Sequence, residues 1–538
     1  MVAEKREIEL CRAPDILETA RRRWQGQATV DLNRPFGSCR IEVCADALRA
    51  VCQWLDEEAH YMFATLIVEE SPGAIWSLRY LFYGASALWI EVVIHLEGNG
   101  AIVPSLSNIE LGPSYDWHER EAEDLFGLQF KGHPRLGDFV LHEDWPDGVN
   151  PMRRDFDATR RPEFPRHESA WQPAVIVSAP GSFAMPVGPV FADFAESAHF
   201  LLETVGEDVI RTIPRFSYKY RGVEKIAEGQ PVDRVLLLAE RFSGTAAFAH
   251  GLAFCDAVET ICAIEVPTRA KAMRTLFAEL ERLRHHAATI AGICNSTALA
   301  VAASQAALIE EDLLRLSCEL TRHRYLFGAV TPGGMTVDLD EPRCRRLTKE
   351  IGDFAARLAK LRDQLRYSSS FLDRLEEVGV VSTGAARSYG LLGPIARASG
   401  IARDIRKLRP YAAYDAADFS VPIEREGDGY ARLRVFFEEA ENSAAIVRQM
   451  LQILPPGPIL VREFAWRSGA ACAAVEAPSG AAFHYLRLCE GCIVARYRVT
   501  PPAFANWHGF HVAAESFAFQ DFPIILASFG LSNAECDR

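Results

Sequence analysis

The chain has 538 residues, which is too long for one ordinary hydrophobic core and indicates two or three domains. Hydrophobic residues make up 49% and charged residues 24%, the composition of a soluble globular protein. The 58 basic and 72 acidic residues give a net charge of -14, which argues against a surface built mainly to bind nucleic acid.

The N-terminal residues contain no apolar stretch of the length that a secretory signal requires, so we expect a cytoplasmic protein. The longest uncharged stretch runs from Ala287 to Ile309, where polar residues such as Thr289 and Asn295 interrupt a run made largely of alanine. We interpret this stretch as one or two helices buried in a bundle, and not as a membrane span. Attachment to the inner face of the cytoplasmic membrane is therefore expected only through partner subunits.

Three regions follow one another along the chain. Residues 1–156 have a mixed pattern with two strand-like runs, Ile75–Tyr83 and Leu88–His95, and we predict a small α+β domain. Residues 157–184 form a linker rich in proline and arginine, with little periodic apolar pattern. Residues 185–538 form a second, mainly helical domain with a few strands, so the predicted fold class is α+β.

Within the second domain, apolar residues recur at helical spacing in two segments. Residues 270–286 are rich in charge and predict an amphipathic helix of a bundle, and the stripe from Leu347 to Leu365 predicts another. Towards the end, residues 483–498 and the run Pro523–Phe529 predict strands.

Thirteen cysteines are spread thinly along the chain, which is typical of reduced core residues and not of a disulfide framework. The one close pair, Cys489 and Cys492, flanks Glu-Gly between two strand-like runs, which suits a hairpin turn. A single Cys-x-x-Cys pair does not complete a tetrahedral metal site. We interpret the pair as structural, and a redox or metal role is the alternative.

The first domain contains a charged segment from Glu119 to Pro134, followed by Asp144-Trp145, Gly148, Pro151, Arg153-Arg154 and Asp155-Phe156. This segment resembles the signature of the C subunit of respiratory complex I. We interpret it as a charged strand-and-loop element and a basic tail that serve docking and folding, because no pair of nucleophile and base is present.

The second domain resembles the D subunit of complex I and the large subunit of formate hydrogenlyase, which are related to [NiFe] hydrogenases. The residues that carry the resemblance are Tyr220-Arg221-Gly222, Glu224, His250, Glu259, Pro267, Arg269, Arg274, Glu279, Arg282, Gly393-Pro394, Arg397, Gly400, Asp404, Lys407, Tyr411, Tyr414, Asp428, Tyr430, Glu476, Pro478 and Glu535 to Arg538. With the first domain, the resemblance covers nearly the whole chain. Such fused C/D-type subunits sit in membrane-attached oxidoreductase complexes, next to an iron–sulfur small subunit that carries a [4Fe-4S] cluster and to ion-translocating membrane subunits.

The resemblance also shows what this chain has lost. Four cysteine thiolates hold nickel and iron in a hydrogenase. The matching positions here are Ser243, Ala246, Ser532 and Glu535, while Cys536 stands one residue away. We therefore expect no metal or other cofactor bound by this chain. Because it ends at Arg538, we also expect no cleavage of a C-terminal extension of the kind that accompanies nickel insertion.

The contacts that complex I uses for quinone are replaced as well. Gly244 stands at the position of the tyrosine, Phe191 at that of the histidine and Ser296 at that of the aspartate that supports the histidine. None of the three can replace the original proton donors. A quinone could still enter a cavity at these positions, but not through the usual contacts.

The interface with the iron–sulfur subunit is retained in sequence. Arg221 matches an arginine that faces the partner's cluster, and a salt bridge to Glu224 or to another buried carboxylate is the alternative role for it. Arg397, Asp404 and Arg406 match stretches near the same interface, and we expect them to need a partner to pair their charges. His250 is interpreted as a core histidine, with membership of a proton relay as the alternative.

Two functions follow from the resemblance. In the first, which we favour from the sequence, the chain is a non-catalytic scaffold between iron–sulfur and ion-translocating subunits. In the second, it is redox-active and passes electrons from the partner's cluster to a quinone or another acceptor. Apolar side chains filling the former metal site would indicate the scaffold, and ionisable side chains converging there would indicate the redox-active subunit.

Overall fold

The computed structural model describes residues 13–31, 38–84, 89–107, 112–163, 177, 180–190 and 196–538. It divides into two compact units, Met1–Arg166 and His167–Arg538, and the division lies inside the predicted linker 157–184. Residues 164–176 and 178–179 of that linker lie outside the described residues.

The first unit is built on one mixed sheet with the strand order β1-β2-β5-β4-β3, in which β2 and β5 are parallel and the other neighbours antiparallel. Its elements are α1 (Ala13–Arg23), β1 (Ala28–Asp31), β2 (Ser38–Val43), α2 (Ala45–Glu57), β3 (Met62–Ser71), β4 (Ile75–Tyr83), β5 (Trp89–Glu97), β6 (Ile102–Pro104), α3 (Asp116–Phe126) and β7 (Gln129–Lys131). The two strands predicted from sequence are confirmed as β4 and β5.

The charged signature segment begins with a helix, α3, and not with the strand that we expected. Its carboxylates can be buried because they accept hydrogen bonds from backbone amides of loops that pack on the helix. Glu119 accepts from Leu106 N at 2.7 Å, and Asp124 accepts from Val140 N at 2.7 Å. These bonds tie the segment together inside the first unit, which fits the folding role.

The second unit is mainly helical. Its elements are β8 (Ser182–Val187), β9 (His199–Val205), β10 (Asp208–Arg215), α4 (Val223–Ala227), α5 (Val232–Arg241), α6 (Ala247–Cys262), α7 (Thr268–Ser296), α8 (Ala300–Thr321), β11 (Val330–Thr331), β12 (Gly334–Met335), α9 (Glu341–Leu365), α10 (Ser369–Leu372), α11 (Thr383–Ser388), α12 (Gly393–Ala398), α13 (Ile405–Leu408), α14 (Gly429–Ile453), β13 (Gly469–Ala477), β14 (Gly480–Cys489), β15 (Ile493–Thr500), α15 (Pro502–Ala513), β16 (Phe517–Ala518) and α16 (Phe522–Phe529). Its two larger sheets have the orders β16-β10-β9-β8 and β13-β14-β15.

Helix α7 is the central helix of this unit and contacts both α8 and α14. The helix predicted for residues 270–286 is confirmed, but its charged residues do not form a solvent-facing side. Glu279, Arg282 and His286 are completely buried, because neighbouring elements supply their ionic partners. The fold class is α+β, as the sequence predicts.

Of two other predicted elements, the structure confirms one and contradicts the other. In α9 the buried residues run from Leu347 to Leu365 with the predicted helical spacing. The run Pro523–Phe529, predicted as a strand, lies instead in the helix α16, which has a proline in its first turn and ends at Gly530 with φ 59°. A short apolar run fits a buried helix and a buried strand equally well, and the flanking proline and glycine are the signals for a helix.

The uncharged stretch Ala287–Ile309 comprises the end of α7 and the first half of α8. The predicted pair of helices is confirmed, although α8 is not fully buried there, since Val301 is 76% exposed and Leu308 58% exposed. None of the helices in the described ranges is long and apolar enough to cross a membrane.

We expect Leu358→Ala, at a completely buried position of α9, to lower the free energy of unfolding of the second unit by about 2–5 kcal/mol, since it leaves a cavity. Leu308→Ala makes the same chemical change at an exposed position and should change it by less than about 0.5 kcal/mol. Urea unfolding of both variants measures the difference. Equal losses would contradict the packing described for α9.

Candidate functional site

The side chain of Glu535 lies at the centre of a buried polar group in the second unit. Its Oε1 accepts hydrogen bonds from Ser243 Oγ at 3.2 Å and from Thr245 Oγ1 at 3.4 Å. Its Oε2 accepts from the backbone amide of Ala503 at 3.4 Å. The loop before α6 and the C-terminal loop are thereby joined around one carboxylate that is only 1% exposed.

His250, in the first turns of α6, extends this group towards the sheet β13-β14-β15. Its Nδ1 lies 3.0 Å from His484 Nε2, and His484 Nδ1 lies 3.0 Å from the hydroxyl of Tyr497. On the other side, His250 Nε2 lies 3.9 Å from Glu535 Oε1. Burial, and then the neighbouring His250, hold the pKa of His484 well below its usual value, so His484 is neutral.

Two buried polar groups at this site have no hydrogen-bond partner among the described residues. One is His250 Nε2, and the other is the side-chain amide of Asn533, both in side chains that are 0% exposed. Buried polar groups are rarely left unpaired, because desolvation without a hydrogen bond is costly. These side-chain atoms are therefore available for hydrogen bonds to a further polar group.

Glu196 fastens the C-terminal loop. Its carboxylate accepts from Ser532 Oγ at 2.8 Å, from the backbone amide of Ala534 at 3.0 Å and from the backbone amide of Asn533. The imidazole of His285 on α7 lies 3.1 Å from the carbonyl oxygen of Gly530. These contacts fix the loop that carries Glu535.

The four positions that match nickel ligands are partly brought together. Ser243 and Glu535 are hydrogen-bonded, whereas the Ser532 hydroxyl is bound to Glu196. Ala246 precedes α6 and is buried, with a methyl group that can donate nothing. Two hydroxyls, a methyl group and a carboxylate do not fit a nickel–iron centre, which requires soft thiolate donors.

The three positions that match quinone contacts have different locations. Gly244 is exposed beside Ser243, and a Cβ atom added to it would meet nothing within 4 Å. Ser296 lies at the end of α7, and its hydroxyl donates to Ile293 O at 2.9 Å, outside the group around Glu535. Phe191 lies outside the described residues. Of the three, Gly244 is the one that the structure places beside the polar group.

Arg221 is the one exposed residue of the five predicted at the interface. It does not pair with Glu224, but the buried carboxylate of Asp537 is close enough to interact with it electrostatically. Its Nε donates to the carbonyl oxygen of Asp537 at 2.9 Å and its terminal nitrogen to that of Ala534. Arg221 therefore holds the C-terminal loop from outside.

Glu224 is buried and has three cationic neighbours within the chain. Its carboxylate lies 2.9 Å from Arg496, 3.2 Å from Arg498 and 3.5 Å from Arg538. Desolvation acts to raise its pKa, but the three arginines together with the amide of Val499 lower it below the usual value.

The expectation that Arg397, Asp404 and Arg406 need a partner to pair their charges was wrong. All three are at most 2% exposed. Arg397 lies 2.6 Å from Glu439 and 2.9 Å from Glu476, and Arg406 lies 2.6 Å from Asp404 and 3.0 Å from Glu279. The chain folds these charges into its own interior, where Arg397 and Arg406 pair with Asp404 nearby in sequence and with carboxylates of distant segments.

Cys489 and Cys492 flank the predicted turn between β14 and β15, in which Gly491 and Cys492 have φ values of 76° and 64°. Burial, and then the nearby Cys262, raise the pKa of the Cys492 thiol. This thiol is not activated as a nucleophile at neutral pH, which fits the structural interpretation.

The sequence reasoning missed Thr245, His484, Tyr497 and Glu196. His484 carried a usable signal, because a histidine within an otherwise apolar strand run needs a buried partner. The other three carried no such signal.

In comparison with known proteins, each unit matches a family model of a respiratory-chain NADH dehydrogenase subunit. The family model described as "Respiratory-chain NADH dehydrogenase, 49 Kd subunit" matches residues 297–468 and 460–538, and that of the 30 Kd subunit matches residues 41–162. Together they span more than half of the chain.

Curated relatives agree with the two models. The chain is 29% identical to formate hydrogenlyase subunit 5 of Escherichia coli (strain K12), over 84% of this chain and 79% of the relative. It is 28% identical to hydrogenase-4 component G of the same organism, over 85% and 79%. It is also 28% identical to the C/D subunit of NADH-quinone oxidoreductase from Bdellovibrio bacteriovorus, over 79% and 82%. The chain therefore belongs to the family of fused subunits that join a 30 Kd-type and a 49 Kd-type domain of the respiratory-chain NADH dehydrogenase, and it is a core subunit of the complex I superfamily.

Proposed function

We propose that this chain is a redox-active core subunit that has no [NiFe] centre and belongs to a membrane-attached, ion-translocating complex. Electrons come one at a time from a [4Fe-4S] cluster in a partner small subunit. They reduce an acceptor bound beside Ser243, Thr245, His250 and Glu535. A two-electron acceptor A reduced to AH2 takes up two protons, and Glu535 and His250 are the groups that can hold a proton beside it.

One observation supports this proposal over the scaffold. Beside the buried methyl group of Ala246, the site holds a carboxylate, two hydroxyls and a histidine, and the histidine has an unpaired nitrogen among the described contacts. A purely structural core would gain stability from apolar packing there, because buried polar groups cost free energy unless they are fully bonded. The polar set is present despite that cost.

The proposed absence of nickel follows from the donor set and predicts a simple analytical result. Purified chain should contain no stoichiometric nickel, because no thiolate stands at the four positions. Elemental analysis alongside a nickel-loaded hydrogenase prepared in the same way measures this. About one nickel per chain would contradict the proposal.

Access to the site is expected at Gly244. Gly244→Trp should fold normally, since the position is exposed and open, and its indole should block the entrance. We expect oxidation of the pre-reduced partner cluster in native membranes, followed by electron paramagnetic resonance, to slow at least about 10-fold because the acceptor is excluded.

Gly352→Trp is the matched control, because Gly352 on α9 also has open space beside it and lies outside the site. It should leave the oxidation rate unchanged. Equal rates in Gly244→Trp and wild-type membranes would contradict an acceptor site at this entrance.

Proton handling is tested by Glu535→Gln, which keeps the shape of the side chain and removes its ability to hold a proton. The same cluster-oxidation assay should slow about 100-fold, within the range expected for the loss of a general acid or base. Ser243→Ala removes one hydrogen bond to Glu535 and should cost less than about 10-fold, at about 1 kcal/mol. A Glu535→Gln complex with wild-type rates would favour the scaffold.

A further inference from the structure

Tyr497, His484 and His250 form a continuous buried line that ends at Glu535. In the register of β14 and β15, Tyr497 is opposite Leu486, and His484 is two residues before Leu486 on the same side of the strand. The tyrosine and the histidine are therefore diagonal neighbours on one face of the sheet. Helix α6 packs on β14 and brings His250 against His484.

Tyr497, at the end of the line away from Glu535, determines the direction of the hydrogen bonds in it. Burial, and then the nearby Glu224, raise the pKa of Tyr497 well above its usual value, so the hydroxyl keeps its hydrogen. The described partner of that hydroxyl is His484 Nδ1. If the hydroxyl accepted a hydrogen bond there, its own hydrogen would be buried without an acceptor, which is unfavourable. Tyr497 therefore donates to His484 Nδ1.

The two histidines then have defined tautomers. Neutral His484 accepts at Nδ1, so it carries its hydrogen on Nε2 and donates to His250 Nδ1. Because His250 accepts at Nδ1, it carries its hydrogen on Nε2. That N–H is buried, has no acceptor within hydrogen-bond distance among the described residues and lies 3.9 Å from Glu535 Oε1.

Glu535, which faces this N–H group, is a hydrogen-bond acceptor. Glu535 Oε1 receives hydrogen bonds from Ser243 and Thr245. Because 3.9 Å is shorter than two hydrogen bonds end to end, a group bonded to both atoms must lie beside the line that joins them. Such a group must accept a hydrogen bond from His250 and can donate one to Glu535. A hydroxyl group does both, whereas a carbonyl oxygen can only accept and an ammonium group can only donate.

We propose that Tyr497 and His484 are positioning residues that hold His250 as its Nε2–H tautomer, and that His250 and Glu535 together bind a hydroxyl-bearing group. The identity of that group as the reduced form of the acceptor rests on the proposed function. The tautomers themselves do not depend on it.

Nitrogen-15 NMR of the full chain with labelled histidine tests the positioning claim, with signals assigned through His250→Gln and His484→Gln. We expect both histidines as Nε2–H tautomers in the wild type. Tyr497→Phe keeps the ring and removes the hydroxyl, so both should become mixtures of tautomers. Tyr389→Phe is the matched control, because it removes a hydroxyl 3.0 Å from His511 and should leave both signals unchanged. A wild-type His250 with its hydrogen on Nδ1, or a Tyr497→Phe spectrum identical to wild type, would overturn the proposal.

The ligand class is tested with phenol and anisole, which have similar rings but differ in the O–H group. Phenol should shift the His250 Nε2 signal at lower concentration than anisole. Tyr497→Phe should weaken that effect at least about 3-fold, which corresponds to about 0.6 kcal/mol. Equal responses to both compounds, or none to phenol, would overturn the hydroxyl site.

These measurements involve no electron transfer, so they fail independently of the proposed function. Negative NMR results with slow cluster oxidation in Gly244→Trp would remove the hydroxyl site and leave the redox role. The expected NMR results with unchanged cluster oxidation would remove the redox role and leave the hydroxyl site.

Discussion

The interior of the second unit depends on a buried set of ion pairs. Arginines from α7, α12 and α13 meet carboxylates from α7, the residue before α13, α14 and β13; the set is Arg282, Arg397, Arg406, Glu279, Asp404, Glu439 and Glu476. Every member is at most 2% exposed. Removing one partner of such a pair leaves an uncompensated buried charge and typically costs about 3–5 kcal/mol. The set therefore fixes α7 relative to the other elements.

Helix α7 transmits this constraint to the candidate site. Its Glu281 accepts from the backbone amides of Phe248 and Ala249 at 2.7 and 3.0 Å, at the start of α6. Its Arg284 donates to the carbonyl oxygen of Thr245 at 2.6 Å. One helix thus positions the loop that carries Ser243 and the helix that carries His250. The carboxylates of Glu196 and Glu224 hold the facing C-terminal loop and Arg538.

Sequence patterns correctly predicted the elements that depend on the spacing of neighbouring residues. The stripe of α9 was correct because helical spacing alone determines which of its residues are buried. The charged side of α7 was misjudged because spacing does not reveal a partner such as Glu439, which pairs with His286 across 153 residues. The same limit applies to the site. The family resemblance located Ser243, His250 and Glu535, but His484 meets His250 across 234 residues, and only the packing of α6 on β14 joins them.

The central claim is that the positions matching nickel ligands belong to a polar site for an acceptor. A high-resolution cryo-electron microscopy map of the native complex, isolated with its partners, tests it most directly. The account predicts non-protein density within hydrogen-bond distance of both His250 Nε2 and Glu535, reached from the side of Gly244. A map in which apolar side chains close this space and no further group contacts His250 Nε2 would contradict it.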